Sequence, residues 1–175
     1  MHVPVLLDRC LELLGPAVNE PDAVLVDATL GLGGHSEAFL AAFPGLTLVG
    51  VDRDPIASAM AAQRLASFGE RFVPRAGEHE NLASLLATIN GGRINAILFD
   101  LGVSSMQLDE PQRGFSYSRD APLDMRMNPQ DELTAAQIVN TYTEGELVGV
   151  LRDYGEERSA RRVAKAIIAA RKVAP

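Results

Sequence analysis

The sequence predicts an α/β protein in which helices cover a parallel, doubly wound sheet. Four short apolar runs have the length of buried strands, and segments with helical spacing separate them. The connections are short, which is typical of strand–helix–strand units. After about residue 105 this alternation stops, and three helical segments follow without a strand between them. We therefore expect a sheet-containing domain at 1–110 and a helical domain at 111–175.

The individual elements follow from local signals in chain order. The predicted strands are 24–28, 46–51, 71–75 and 94–99, and the predicted helices are 3–14, 36–43, 54–69, 80–89, 133–142, 143–155 and 156–172. Ser36 is the expected N-cap of the second helix, and Asp54 with Pro55 is a typical start for the third. Pro74 cannot donate to a sheet ladder, so the third strand is expected at an edge.

Composition limits the classes of function. The net charge of −7 argues against a general nucleic-acid binder, but residues 152–175 hold 7 basic and 3 acidic side chains. That segment is either a solvated helix face or a phosphate-facing patch. No apolar run suits a membrane span, no leader is visible, and no His/Cys cluster suggests a metal site. The single cysteine, Cys10, is expected to be a buried thiol in a cytoplasmic protein.

Acidic residues end three of the predicted strands, at Asp27, Asp52 and Asp100. Ligands of open parallel sheets bind beyond the carboxyl ends of the strands. The glycine-rich turn 31–34 allows a ligand to approach the backbone and leaves helix N–H groups available. Asp52 lies 21 residues after Gly31, a suitable spacing for a carboxylate that binds the two hydroxyls of a ribose.

Two cofactor classes fit this arrangement. A nicotinamide dinucleotide would need GxGxxG, but only Gly31 and Gly33 match, and Ser36 takes the third place. S-adenosylmethionine has an amino group, a sulfonium and no pyrophosphate, so acids near the loop, such as Asp27, suit it better. The pattern favours S-adenosylmethionine. A dinucleotide and a glycine turn without a ligand stay open.

Several longer motifs extend this pattern along the whole chain. They are DATLGLGGHS at 27–36, VDRDP at 51–55, FDLGVSSMQLD at 99–109, RGFSYSRDAPLDMRM at 113–127 and YGEERSARRVAKAI at 154–167. With these motifs the chain resembles the bacterial 16S ribosomal RNA (cytosine-N4) methyltransferase family from residue 2 to about 171. The resemblance implies a class I, Rossmann-like methyltransferase core, S-adenosylmethionine as methyl donor, and a helical insertion that recognises RNA.

The resemblance also implies site residues. Carried over position by position, the cofactor contacts fall on the glycine turn, two strand-end acids and one amide: Gly33, Gly34, His35, Asp52, Asp100 and Gln107. The family has a further contact, usually aromatic, after the third strand. This chain departs from that pattern with His79. Either the imidazole stacks on adenine, or His79 belongs to a solvent-exposed loop.

The expected reaction is direct, in-line methyl transfer to the N4 amine, with alignment supplying most of the rate. We assign the catalytic roles to Asp100, as acceptor of a hydrogen bond from an amino group, and to Ser104 and Ser105 at the base edge. Interleaved cations and aromatics suit a flipped base and RNA phosphates: Arg113, Phe115, Tyr117, Arg119 and Arg126. The alternative is a loop packed against the core by Phe115, Leu123 and Met125, which is compatible with RNA binding. In that alternative, Asp124 and Arg126 pair with each other or with their neighbours.

The expected partner is 16S rRNA within the small ribosomal subunit, without a membrane. The class I core normally has seven strands and four are visible, so we expect a truncated enzyme whose fourth strand exposes an edge for self-association. Two other interpretations are an NAD-type dinucleotide oxidoreductase and a non-catalytic ribosome-binding fragment.

Overall fold

A computed structural model describes residues 3–118 and 120–173, apart from the side chain of Ser105. The chain divides into two compact units. We call Met1–Gly102 the sheet unit and Val103–Pro175 the helical unit. Arg119 lies outside the described residues.

The described residues of the sheet unit form one parallel sheet of four strands in the order β3-β2-β1-β4. The strands are β1 Val24–Asp27, β2 Thr47–Asp52, β3 Phe72–Ala76 and β4 Ala96–Leu98. All four predicted strands and the α/β class are confirmed, and β3, which contains Pro74, lies at an edge. The order reverses on either side of β1, which creates the crevice where such sheets bind ligands.

The described residues of the sheet unit also form the α-helices α1 Leu7–Val18, α2 Gly34–Ala42, α3 Pro55–Arg64 and α4 Leu82–Leu86. α1 begins at Leu7 and not at residue 3 as predicted, because Leu6 has a left-handed backbone with a φ of 52°, which a helix cannot include. The predicted start of α3 is confirmed, since the Asp54 side chain accepts from the N–H of Ile56 and Pro55 is the first helical residue. The helix ends at Arg64, before the predicted residue 69, and a 3-10 helix follows at Ala66–Arg71.

The prediction that Ser36 caps α2 is wrong. The helix begins at Gly34, and Gly33 precedes it in the left-handed conformation with a φ of 76°. Ser36 therefore lies inside the first turn, where its hydroxyl donates to Asp27 at 2.7 Å. Both side chains are buried, and the bond ties α2 to the end of β1.

Apolar side chains cover both faces of the sheet, as a doubly wound fold requires. Leu25 belongs to one cluster, together with Phe39 of α2. Its neighbours Val24 and Val26 belong to the other cluster, together with Leu86 of α4. This alternation follows from the period of two in a strand, and it explains why β1 is apolar throughout.

The helical unit contains α5 Ser105–Asp109, α6 Ala135–Thr141, α7 Glu144–Asp153 and α8 Ala160–Ala170 among its described residues. The three predicted helices are confirmed, and α5 was not predicted. Capping boxes start α5, α6 and α7, because a Ser or Thr and a Gln or Glu three residues later bond each other's backbone N–H. No helix in the described part of the chain is long and apolar enough to cross a membrane.

Candidate cofactor and substrate site

Asp27 supports the site from beneath the glycine turn. Its side chain is 2% exposed and accepts from the Ser36 hydroxyl at 2.7 Å and from the N–H of Thr29 at 3.2 Å. Burial raises the pKa of this carboxyl, and the two hydrogen bonds oppose that rise. Asp27 thus fixes the strand end, the turn and the helix relative to one another.

The turn after β1 is compact. Gly31 and Gly33 have positive φ values of 51° and 76°, which glycine adopts without steric cost. A Cβ at Gly33 would lie 3.1 Å from Leu65 and 3.3 Å from Ala61 in α3. Glycine therefore lets the backbone of this turn lie directly against α3.

Asp52, the last residue of β2, is bonded to the same turn. One carboxylate oxygen accepts from the N–H of Gly31 at 2.7 Å, and the other accepts from the N–H of Asp54 at 2.8 Å. The side chain is half-buried. Each carboxylate oxygen has a second lone pair, so this oriented group can still accept from two vicinal hydroxyls.

His35 and Asp100 lie side by side in the sheet unit. His35 is buried, and its Nε2 lies 2.9 Å from the carbonyl oxygen of Val5. A carbonyl only accepts, so Nε2 carries a proton. The other ring nitrogen, Nδ1, lies 3.8 Å from a carboxylate oxygen of Asp100, which is 46% exposed. The backbone N–H of Asp100 donates to the Thr29 hydroxyl at 2.7 Å.

His79 contacts two other segments of the sheet unit. It is exposed, yet its Nε2 lies 2.9 Å from the carbonyl oxygen of Ala28, beyond the end of β1. Its ring also meets Phe99 edge to face, with centroids 5.2 Å apart and an interplanar angle of 83°. His79 therefore connects the segments that follow β1, β3 and β4.

Sequence reasoning missed two residues of this group, Thr29 and Phe99. Thr29 accepts from the backbone of Asp100, and Phe99 is a 46% exposed aromatic directly before that acid. The only sequence signal for either is its place immediately beyond an apolar run. The structure brings together every predicted site residue of the sheet unit at the carboxyl edge: Gly33, Gly34, His35, Asp52, His79 and Asp100.

In the helical unit, two predicted residues form a cap. The Ser104 hydroxyl accepts from the N–H of Gln107 at 3.2 Å, and the Gln107 side-chain oxygen accepts from the N–H of Ser104 at 3.0 Å. Gln107 is buried. Ser105 is the first residue of α5, and the structure describes its backbone only. This cap fixes the loop that contains the predicted base-edge residues.

Two of the predicted RNA-binding arginines hold their own loop. Arg113 is buried and donates to the carbonyls of Arg126 and Met127 at 3.1 and 2.7 Å. Arg126 binds the Asp124 carboxylate through two nitrogens at 2.9 and 2.7 Å, which lowers the pKa of that carboxyl. The alternative of an Asp124–Arg126 pair is confirmed.

The aromatic residues of that loop differ in exposure. Phe115 is half-buried beneath the Arg113 guanidinium, 6.0 Å from its ring centroid. Tyr117 is fully exposed. Of the described aromatics in the loop, Tyr117 therefore presents the most surface to a base.

The model of the MraW methylase family matches residues 1–175. The chain belongs to this family. It is 59% identical to the ribosomal RNA small subunit methyltransferase H of Mycolicibacterium smegmatis, over 99% of this chain and 48% of that protein. It is 56% identical to the protein of the same name from Nocardia farcinica, over 95% of this chain and 52% of that protein. The resemblance inferred from the motifs is confirmed.

The chain spans about half the length of these curated relatives. An rRNA methylase structure from Streptococcus thermophilus is also similar, with a TM-score of 0.46, 25% identity and coverage of 58% of each chain.

Proposed function

We propose that this chain carries the S-adenosylmethionine site of a cytoplasmic enzyme that methylates the N4 amine of a cytosine in 16S rRNA of the small ribosomal subunit. The observation that carries this proposal is the bond between Asp52 and the N–H of Gly31, which orients a ribose-type carboxylate against the glycine turn. Family membership supports the same reaction class.

The residues present fit the cofactor. Gly31 leaves the turn open to a ligand, because a Cβ there would meet only the carbonyl oxygen of Thr29, at 3.8 Å. Gly33 and Gly34 let the same turn pack closely, since their Cβ atoms would lie 3.1 Å from Leu65 and 2.6 Å from Pro4. Asp52 offers acceptors for ribose hydroxyls. Asp100 supplies a partly exposed carboxylate for an amino group. His79 and Phe99 provide aromatic rings near the same strand ends, where adenine would bind. When bound, the cofactor supplies an electrophilic methyl group on a sulfonium.

Asp100 has the properties of the catalytic acceptor. The N4 lone pair is delocalised into the cytosine ring, so the amine needs an acceptor that stabilises its growing positive charge. The backbone of Asp100 is fixed through Thr29, while its carboxylate is accessible. Ser104 and Ser105 remain the proposed base-edge residues, and the cap between Ser104 and Gln107 would hold their loop in place.

A covalent cysteine mechanism is disfavoured by the position of Cys10. Cys10 is half-buried in the structure, not fully buried as predicted. This partial burial raises the pKa of its thiol, and the negative charges of Asp100 and Asp27 raise it further. A thiol in that environment is a poor nucleophile at neutral pH. We propose direct transfer, without an enzyme–substrate bond.

On the RNA side, Tyr117 and Phe115 are the proposed stacking residues, and the loop that Arg113 and Arg126 hold presents them. Arg119 stays a proposed phosphate contact. The target would be 16S rRNA in the assembled small subunit, where an unpaired base can be turned out of its stack.

Calorimetry with S-adenosylmethionine and with NAD, followed by methyl transfer from labelled cofactor to undermethylated small subunits, tests this proposal. We expect binding of S-adenosylmethionine alone, and transfer that is lost in Asp100→Ala but kept in Cys10→Ala. Binding of NAD instead would support an oxidoreductase. Cofactor binding without transfer would support a non-catalytic ribosome-binding chain, and strong transfer by Asp100→Ala would contradict the role of Asp100.

We also propose self-association through β4. Within the described residues β4 pairs only with β1, and Ile97 and Phe99 beside that edge are 37% and 46% exposed. Such an edge is a template for pairing with another chain. Light scattering over a concentration series should show dimers that Ile97→Lys reduces. A monomer at all concentrations would contradict this proposal.

A further inference from the structure

The helix α8 carries cations along one face. Between residues 158 and 172 the chain has six Lys or Arg and no Asp or Glu, although its net charge is −7. Lys165 lies four positions after Arg161 and three positions after Arg162, and residues at these spacings are neighbours on the surface of a helix. All three are exposed, as is Arg158 just before the helix. We call these four residues the α8 cationic face.

The charges of this face are not used within the fold. Most other arginines of the described residues have a partner: Arg9 binds Glu12, Arg64 binds Glu37 and Arg152 binds Asp153. By contrast, no side chain of the α8 cationic face forms a hydrogen bond or an ion pair among the described residues. The face therefore has its full positive charge available to a partner.

The opposite side of α8 is buried. Ala160 and Ala164 are 4% and 0% exposed, and Val163 and Ile167 are partly buried. α8 packs against α7 within the helical unit. A helix that binds a membrane surface needs an exposed apolar face next to its cations. In α8 the apolar side chains larger than alanine are half-buried within the fold, so a polyanion in water suits the exposed cations better than a lipid surface.

We propose that the α8 cationic face binds RNA phosphates, and this inference rests on the proposed function as an RNA-modifying enzyme. Two predicted RNA-binding arginines, Arg113 and Arg126, donate to groups of their own loop. Phosphate binding needs unpaired, solvent-accessible cations, and α8 supplies them. These contacts carry no sequence information and position the RNA for the loop that reads the base.

The test compares two charge-matched variants of the chain. Arg161→Gln with Arg162→Gln removes two charges from the face, and Arg9→Gln with Arg93→Gln removes two exposed charges from the sheet unit. Binding to a transcribed, unmodified small-subunit rRNA is measured by fluorescence anisotropy at several salt concentrations. For two lost phosphate contacts, we expect affinity to fall on the order of 30-fold at 0.1 M salt and the log–log salt slope to fall by about 1.4 to 1.8. The control should change affinity less than about threefold.

A second variant protects the test against misfolding. Arg161→Lys with Arg162→Lys keeps both charges and should keep the salt slope, because phosphate attraction needs charge and not the guanidinium shape. Equal loss in the charge-matched control, or no loss in the Gln variant, would overturn the inference, as would failure of the unmodified chain to bind this RNA. Stronger binding to phosphatidylglycerol vesicles than to RNA would overturn it in favour of a lipid surface. Calorimetry with S-adenosylmethionine on the same samples shows separately whether the proposed function fails.

Discussion

Asp52→Asn separates the structural role of this residue from its proposed role in cofactor binding. Asp52 accepts from two backbone N–H groups, of Gly31 at 2.7 Å and of Asp54 at 2.8 Å. Asparagine has nearly the same shape but only one acceptor oxygen. In the variant, one of the two N–H groups must face the amide NH2, which is itself a donor.

The magnitude follows from the lost bond. A hydrogen bond to a charged acceptor contributes about 1.5–3 kcal/mol, so the free energy of unfolding should fall by about that amount. For a chain of this size, the melting temperature should fall by roughly 3–12 °C. If the carboxylate also binds the ribose, the loss of one charged acceptor should weaken S-adenosylmethionine binding by a further factor of roughly 10–150.

Differential scanning calorimetry and titration calorimetry measure the two effects on the same sample, below the melting temperature of the variant. Glu70→Gln is the matched control, because it makes the same acid-to-amide change at an exposed position. Its cofactor affinity should equal that of the unmodified chain. A lower melting temperature with unchanged affinity in Asp52→Asn would refute the ribose role and leave Asp52 as a structural residue of the turn.

Three further predictions concern the supporting contacts. Burial raises the pKa of Asp27 above about 3.8, its value in the unfolded chain. The free energy of unfolding of the wild type should therefore fall as the pH rises from about 3.8 through the folded pKa. Asp27→Asn should lack this fall when urea unfolding is measured at several pH values. The ion pair with Arg126 lowers the pKa of Asp124. The stabilisation from this pair is therefore complete above about pH 3.8 and is lost as the pH falls through the folded pKa. NMR titration of the carboxylate should give a folded pKa below about 3.8, and a higher value would contradict the pairing. Thr29→Val removes the acceptor for the backbone N–H of Asp100. Calorimetry should show that S-adenosylmethionine binds roughly 2- to 13-fold more weakly to this variant. An unchanged affinity would show that this hydrogen bond does not position the carboxylate of Asp100.

The strands could be predicted because a strand that is buried on both faces has a continuous run of apolar residues. Val24–Asp27 and Thr47–Asp52 are buried on both faces, so their apolar runs are continuous and end where the chain reaches the edge of the sheet. The acids at those ends follow directly from the sequence. Their meeting at one edge follows from parallel pairing, which the short connections imply.

The helical unit shows where local signals give too little. α5 has only five residues, and its two apolar side chains, Met106 and Leu108, are too few to show a helical period. The sequence therefore predicts substrate and cofactor roles for Ser104 and Gln107, whereas the structure shows that they form a capping box. The sequence predicts that Arg113 contacts RNA, whereas its side chain is buried in the structure. Its burial depends on the carbonyls of Arg126 and Met127, 13 and 14 residues away, which only the folded loop brings to it.

By itself, the sequence determined the family, the four parallel strands and the acids beyond them, because each of these is encoded in a contiguous motif or a local period. The tertiary structure alone decided which polar atoms satisfy one another. Ser36 bonds Asp27 instead of capping α2, and His79 bonds a carbonyl 51 residues away. It also decided which cations stay available, since Arg126 is paired while the α8 cationic face is not. Hydrogen-bond partners depend on distances of about 3 Å between remote segments, and no local pattern specifies such distances.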